Sequence, residues 1–167
     1  MLQTIKITPK QDSEEGWRAI IMHKLVSFTQ PLYRHLSRKK HPKWQTTTSQ
    51  LSTFPNHSLG QELSHFLKQY SYTLMAQFES HDVFHVLLEY RPTVLDEARM
   101  QCCLAGSGRR SLYSIGTCIL AALVYPEYWK DFKSHFVRGT TLKHFSYWNF
   151  ETMLTIDILR LRREIQR

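Results

Sequence analysis

Pro92, followed by Thr93, is the feature of this sequence that most restricts how the chain can fold. Proline is poorly tolerated inside a helix and threonine is a favourable N-cap residue, so one helix should end before this pair and another should begin after it. His81 and His85 precede the pair, and Glu97 follows it. The sequence therefore predicts two helices joined by a short turn, with polar residues of both helices close to that turn.

The residues on either side of the turn form a pattern, HDxxH followed by eleven residues and a glutamate, that is compatible with a metal site. His81 and His85 lie four positions apart and project from one face of a helix, and Asp82 can flank the same face. On an uninterrupted helix Glu97 would lie about 160° away from His81, but a chain reversal lets it face back. Imidazole and carboxylate groups bind Zn²⁺ and other divalent first-row metals. An ordinary surface or core histidine pair is the alternative explanation.

Two better-known metal signatures fit the sequence poorly. The zincin motif has a glutamate directly after its first histidine as the general base, whereas this chain has Asp82 there. A phosphohydrolase of the HD type needs further His and Asp ligands, for which the sequence offers no obvious candidates. The cysteines are odd in number and two are adjacent, so they predict buried thiols rather than a disulfide framework. They are Cys102, Cys103 and Cys118.

Apolar periodicity over the chain predicts an all-α fold, a single-domain bundle of six or seven helices. The 167 residues suffice for one core, and the low content of 6 Gly and 6 Pro argues against a turn-rich all-β fold. Ser58 and Asn149 are predicted caps, and Pro126 is predicted to begin a helix that ends at Gly139. The predicted helices cover 14–36, 58–70, a segment around His81 and His85, 94–104, 111–125, 126–138 and 149–165, and 38–58 is predicted as a loop.

The run from Ser111 to Tyr125 is apolar nearly all round, which predicts a central buried helix. It is shorter than the roughly 20 residues needed to span a bilayer, and residues 1–16 resemble neither a signal nor a transit peptide. We therefore expect a soluble or peripheral protein.

Positive charge is concentrated in two parts of the chain, whose formal net charge is +8. Residues 16–61 contain no acidic side chain, and basic residues recur near the C-terminus. Such surfaces attract nucleic acid or anionic membranes, although a solvated face without a partner explains them equally well. No zinc-finger, RRM or KH signature is present, so sequence-specific nucleic-acid binding is not expected.

The pattern His81-Asp82-x-x-His85-x11-Glu97 resembles the signature of the Coq-four family, the fourth Coq protein of ubiquinone (coenzyme Q) biosynthesis. The segment PNHSLGQELSHFL at 55–67 is similar to a family segment in which Ser/Thr-Leu-Gly precedes a helix. Residues 139–165 look like the closing helix of that family. The resemblance covers about residues 55–167.

Two positions near the motif depart from that family. It usually has glycine where this chain has Asp96, and also four residues after the second histidine, where this chain has Glu89. The chain therefore resembles a divergent, Coq-four-like homologue.

The resemblance implies a mostly helical fold and a zinc-type site, with Zn²⁺ or another divalent metal held by residues matching His81, Asp82, His85 and Glu97. Were only three of them ligands, Asp82 would be the one to orient a histidine or carry protons. The resemblance also implies peripheral membrane attachment, on the matrix face of the mitochondrial inner membrane in a eukaryote or the cytoplasmic face in a bacterium. An apolar groove for a prenylated quinone precursor, oxidative decarboxylation at C1 of its head group, and membership of a quinone-assembly complex or homo-oligomer are further implications. The groove would come from 111–125 and the other apolar stripes.

Three functional hypotheses follow. The first is a metal-dependent, Coq-four-like enzyme acting on a prenylated quinone precursor. The second is a non-catalytic lipid-binding or scaffold protein at the membrane surface, suggested by the basic flank and the abundant apolar helix surface. The third, a zinc hydrolase with an unrelated substrate, is weakened by the missing glutamate after His81.

Overall fold

The computed structural model describes Gly16, Arg18, Ile20 and residues 44–76, 78–109 and 111–167. Within these residues there are six α-helices and no β-strand, which confirms the predicted all-α fold. The helices are α1 (Leu59–Gln69), α2 (Glu79–Leu88), α3 (Val94–Gly106), α4 (Leu112–Val124), α5 (Trp129–Thr140) and α6 (Ile158–Glu164). Short 3₁₀ helices cover Gln50–Thr53, Pro126–Tyr128 and Phe150–Met153. Most of the helix predicted over 14–36 lies outside the described residues, although its three described positions are helical.

Three helical segments begin at the residues that the sequence predicts, namely Ser58, Thr93 and Pro126. The Ser58 hydroxyl accepts a hydrogen bond from the Gln61 backbone N–H at 3.3 Å, and the Gln61 side chain accepts one from the backbone N–H of His57 at 2.9 Å. Thr93 caps α3 in the same way. Pro126 begins a 3₁₀ turn that continues into α5, which ends one residue beyond the predicted Gly139. Between 44 and 58 the chain is a loop with one 3₁₀ helix, as predicted for that part of 38–58.

Two hydrophobic clusters hold the helices together. The larger cluster joins α1, α2, α3 and α6 with the loops beside them, and it includes Phe84, Phe145 and Phe150. The smaller one lies between α3, α4 and α5 and includes Cys102 and Tyr125. All three cysteines are free thiols, as predicted. Cys102 and Cys103 are buried, whereas Cys118 is only partly buried, so the prediction of buried thiols is confirmed for two of the three.

Helices α3 and α5 cross at backbone contact through two glycines. A Cβ at Gly106 would lie 2.1 Å from the carbonyl oxygen of Phe136, and one at Gly139 would lie 2.0 Å from the carbonyl oxygen of Cys103. No side chain fits at such distances, so the absence of a Cβ at both positions permits this crossing. The crossing fixes α3, whose first turn carries Glu97.

Helix α4 contradicts the prediction of a central buried helix. Its large aliphatic residues point outward, with Leu112 82% and Leu123 74% exposed, whereas Ser114, Thr117 and Ala121 are buried. Small side chains allow α4 to approach its neighbours closely, and uniform apolarity did not reveal which face would do so. A continuous apolar strip is therefore left on the outside of the helix, formed by Leu112, Ile115, Ile119 and Leu123.

The C-terminal helix is shorter than predicted and has a different cap. Asn149 precedes only the 3₁₀ helix Phe150–Met153 and makes no side-chain capping bond, whereas the Asp157 side chain accepts from the backbone N–H of Arg160 and caps α6. The carbonyls of Leu154 and Ile156 accept hydrogen bonds from the start of α1, at 2.9 and 2.8 Å. The two carbonyls therefore bond to another part of the chain and not to N–H groups of the predicted helix, so that helix is interrupted at Leu154 and Ile156.

A connection as short as that between α2 and α3 usually joins two helices packed side by side, but α3 packs mainly against α5 and α4. The histidines of α2 nevertheless reach Glu97 of α3. None of the helices in the described residues has both the length and the apolar character needed to cross a membrane.

Candidate metal centre

The turn between α2 and α3 brings Glu97 to the two histidines, as the sequence predicts. Helix α2 ends at Leu88, and the residue that follows it, Glu89, has a left-handed backbone with φ of 63°. The Thr93 hydroxyl then accepts from the backbone N–H of Asp96 at 3.2 Å and starts α3. Glu97 consequently lies in the first turn of α3, facing α2.

Both imidazoles contact the same carboxylate. His81 Nε2 lies 3.1 Å from Glu97 Oε1, and His85 Nε2 lies 3.3 Å from Glu97 Oε2. The two rings meet edge to face with centroids 4.9 Å apart. One donor atom from each of the three residues lies within 4.8 Å of the others, a spacing that suits a shared cation.

The orientation of His85 is set by its surroundings. Its Nδ1 lies 3.1 Å from the carbonyl oxygen of Tyr90, and because a carbonyl only accepts, Nδ1 carries the proton. The ring also stacks on Phe66, and the residue is 4% exposed. The other ring nitrogen, Nε2, is thereby directed at the Glu97 carboxylate. A backbone carbonyl on the far nitrogen is the usual support of a metal-binding histidine.

Charge at the site is concentrated on Glu97 and His81. Burial of the His81 imidazole opposes protonation, but the Glu97 and Asp82 carboxylates outweigh it and raise the pKa of His81 to about 10. Burial also opposes the charge of Glu97, yet the neighbouring His81 and His85 hold its pKa well below the usual value. The site therefore keeps a buried carboxylate in its anionic form.

Asp82 occupies a different position from the other three residues. Its Oδ1 lies 3.9 Å from Nδ1 of His81, the ring nitrogen opposite the one that faces Glu97. The structure therefore brings His81, His85 and Glu97 together around one space and places Asp82 behind His81. That position matches the alternative in which Asp82 orients a histidine.

Two further carboxylates close to the motif, those of Glu89 and Asp96, are paired with arginines. Glu89 lies 2.9 Å from Arg162, and Asp96 binds Arg91 at 2.8 Å and Arg99 at 2.7 Å. Burial alone would raise the pKa of Asp96, but its bonds to Arg99 and Arg91 lower it. Neither carboxylate belongs to the group of donor atoms around Glu97.

Sequence reasoning missed two residues that contact Glu97 directly or through a neighbour. Gln101 Nε2 donates to Glu97 Oε1 at 2.9 Å, and Ser114 Oγ donates to Gln101 Oε1 at 2.7 Å. Gln101 lies four residues after Glu97, a helical spacing that could have identified it from the sequence. Nothing in the sequence connected Ser114, which comes from α4.

An open cleft of about 220 Å³ lies beside His85. Aromatic side chains line it together with charged side chains of both signs, since Glu62 and Glu89 face it as well as two arginines. Its lining includes Phe66, Tyr70, His85, Tyr90, Arg91 and Arg162.

Comparison with known proteins shows a similar fold. No protein-family model matches the chain, and no curated protein matches it. Its structure is similar to the crystal structure of a provisionally assigned ubiquinone biosynthesis protein from Nostoc punctiforme, with a TM-score of 0.57 and 14% sequence identity. The similarity covers 89% of this chain and 81% of that protein.

Proposed function

We propose that the chain binds a divalent metal of the zinc type through His81, His85 and Glu97. The observation that carries the proposal is the convergence of His81 Nε2 and His85 Nε2 on the buried Glu97 carboxylate, at 3.1 and 3.3 Å. Two nitrogens and one carboxylate oxygen are a frequent protein ligand set for zinc, and a set of three leaves a position for water or substrate. Asp82 supports His81 from behind.

We further propose that this site serves quinone biosynthesis, with a prenylated quinone precursor as the bound molecule. The fold similarity to the Nostoc protein and the resemblance of the HDxxH motif support this role. When bound, the metal supplies Lewis acidity for loss of a carboxylate at C1 of the head group. Phe66 and Tyr70 give the cleft beside His85 an apolar surface, which suits the apolar part of such a molecule.

Metal binding is tested first. Zn²⁺ added to chelator-treated protein should bind in a calorimetric titration and raise Tm, because a ligand specific for the folded state stabilises it. Glu97→Gln and His85→Gln should abolish this response, whereas His144→Gln, at an exposed histidine bonded to Ser146, should preserve it. Equal binding by all four proteins would refute the assignment of the site.

The quinone role is tested in cells. A strain lacking its own Coq-four protein should regain quinone when it expresses this chain, and Glu97→Gln should leave a carboxylated precursor that mass spectrometry detects. Metal binding without any restoration would separate the metal site from quinone synthesis and contradict the pathway assignment.

A non-catalytic role at a membrane surface is the second candidate function. The apolar strip on the outside of α4 supports it, since no charged residue occurs between Leu112 and Val124. Exposed Trp129 and Lys130 begin the next α-helix along the chain, after a short 3₁₀ turn, and such residues border membrane-docking helices. On this view the chain holds lipid or organises a quinone-biosynthesis complex on the bilayer.

Flotation with anionic liposomes tests this contact. Wild-type protein should float, and the double variant Leu112→Glu/Leu123→Glu should remain at the bottom of the gradient. Leu159→Glu is the matched control, because Leu159 is also an exposed leucine but lies on α6. Equal flotation of both variants would contradict docking through α4.

A further inference from the structure

Glu97 is held by a hydrogen-bonded chain that runs through two helices. Gln101 lies one turn further along α3 and donates to Glu97 Oε1 at 2.9 Å, and Ser114 of α4 donates to Gln101 at 2.7 Å. Gln101 and Ser114 are both 0% exposed. Buried polar groups require partners, and here each supplies the partner of the next.

The direction of these bonds determines how the glutamine is oriented. The Ser114 hydroxyl donates to the amide oxygen of Gln101, which leaves the amide N–H groups facing the carboxylate. The opposite orientation would place the amide oxygen against Glu97, two acceptors with no proton between them. The chain therefore has one favourable arrangement.

That arrangement separates the roles of the two Glu97 oxygens. Oε1 receives Gln101 and faces His81, while Oε2 faces His85. Rotation of the carboxylate about its last bond would break the bond from Gln101 while the carboxylate remained buried. A carboxylate bonded in this way presents a fixed edge to the two imidazoles.

We propose that Gln101, oriented by Ser114, is a positioning residue that fixes the rotation of the Glu97 carboxylate for metal binding. This inference rests on the proposed metal site. This role of Ser114 also gives a reason why α4 turns small polar side chains inward and large aliphatic ones outward, since its inner face must carry a hydroxyl for Gln101. Helix α4 thus belongs to the support of the site although it provides no metal ligand.

The test compares Co²⁺ binding to purified full-length proteins, because the absorption spectrum of Co²⁺ reports the arrangement of its ligands. Gln101→Met preserves side-chain volume and removes the donor, and Ser114→Ala removes the group that orients it. The matched control is Thr117→Val, at a second buried polar residue on the same helix. Thermal unfolding of the metal-free proteins measures any general loss of stability separately.

Gln101→Met should weaken Co²⁺ binding about 10- to 100-fold and change the spectrum, as is typical when a residue behind a metal ligand is removed. Ser114→Ala should weaken it by about fivefold, the loss expected for one hydrogen bond. Thr117→Val should retain the wild-type affinity and spectrum. Should Gln101→Met fail to fold, Ser114→Ala alone decides the question.

Two results would overturn the inference, and they are distinguishable. Wild-type binding accompanied by unchanged affinity and spectrum in both variants would leave the metal site standing and remove the role of Gln101. Absence of Co²⁺ binding by the wild type would overturn the proposed function and this role together. Equal weakening by Thr117→Val would also count against positioning, since it would reduce the effect to general loosening of α4.

Discussion

Replacing Gly106 with alanine should destabilise the protein, whereas the same change at Gly116 should stabilise it. A Cβ at Gly106 would meet the carbonyl oxygen of Phe136 at 2.1 Å, so α3 and α5 would have to move apart by 1.3 Å to reach an ordinary contact of 3.4 Å. Backbone cannot rotate away as a long side chain can. Gly116 lies within α4, and nothing lies within 4 Å of the position its Cβ would take.

The magnitudes follow from two opposing effects. Alanine is favoured over glycine inside a helix by about 1 kcal/mol, and this gain should appear in full at Gly116. At Gly106, the last residue of α3, the gain is smaller and forced separation of packed elements costs about 1–3 kcal/mol. We expect a net loss of roughly 2 kcal/mol there, which for a chain of this size lowers Tm by about 4–8 °C, against a rise of about 2–4 °C at Gly116.

Thermal and urea unfolding of both variants check these signs. Gly139→Ala should behave like Gly106→Ala, because its Cβ would meet the carbonyl oxygen of Cys103 at 2.0 Å. An unchanged or higher Tm for Gly106→Ala would refute the close crossing of α3 and α5, and with it the account of how α3 is fixed in place.

Three further predictions concern a cap, a titrating histidine and a left-handed residue. Asp157→Ala should cost about 1 kcal/mol in urea unfolding because it removes the cap of α6, while Asn149→Ala, which removes no capping bond, should cost little; equal losses would contradict the cap assignment. In metal-free protein the pKa of His81 is about 10 in the folded state and 6.5 when unperturbed. The protonated His81 therefore adds its full share to the free energy of unfolding below pH 6.5, and this share is lost as the pH rises through 10. His81→Gln should flatten that part of the urea-unfolding profile between pH 6 and pH 10, and a profile identical to wild type would be evidence against the charged pair. Glu89→Gly should stabilise by about 1 kcal/mol, since relief of a left-handed backbone outweighs an exposed ion pair; a lower urea midpoint would mean that the contact with Arg162 is worth more than the strain.

Local signals in the sequence predicted much of the fold because their causes are local. Thr93, Ser58 and Pro126 act within one helical turn of themselves, and each begins the predicted element. The approach of Glu97 to the histidines was also predictable, since a helix-breaking residue and a cap force the chain to reverse between them. Most of the candidate site could therefore be predicted from the HDxxH spacing together with the turn that follows it.

The errors arose where partners distant in sequence decide the outcome. Helix α4 has few polar residues, and its burial depends on which neighbours its small side chains approach. The divided C-terminal helix depends on carbonyls of Leu154 and Ile156 that bond to α1. Ser114 joins the site only because α4 packs beside α3. Periodicity describes one helix at a time and contains no information about these pairings.

Helix α6 contacts the C-terminal end of α2, the end that carries His85, through Arg162. Arg162 donates to the Val86 carbonyl at 2.9 Å across a separation of 76 residues, and it also pairs with Glu89 at the end of α2. Contacts so distant in sequence form slowly, because a long loop must close before they stabilise anything. During synthesis His81, His85 and Glu97 are made well before α6, the helix whose Arg162 bonds to the end of α2. We expect the site to mature late in folding, after nearly all of the described chain has been made.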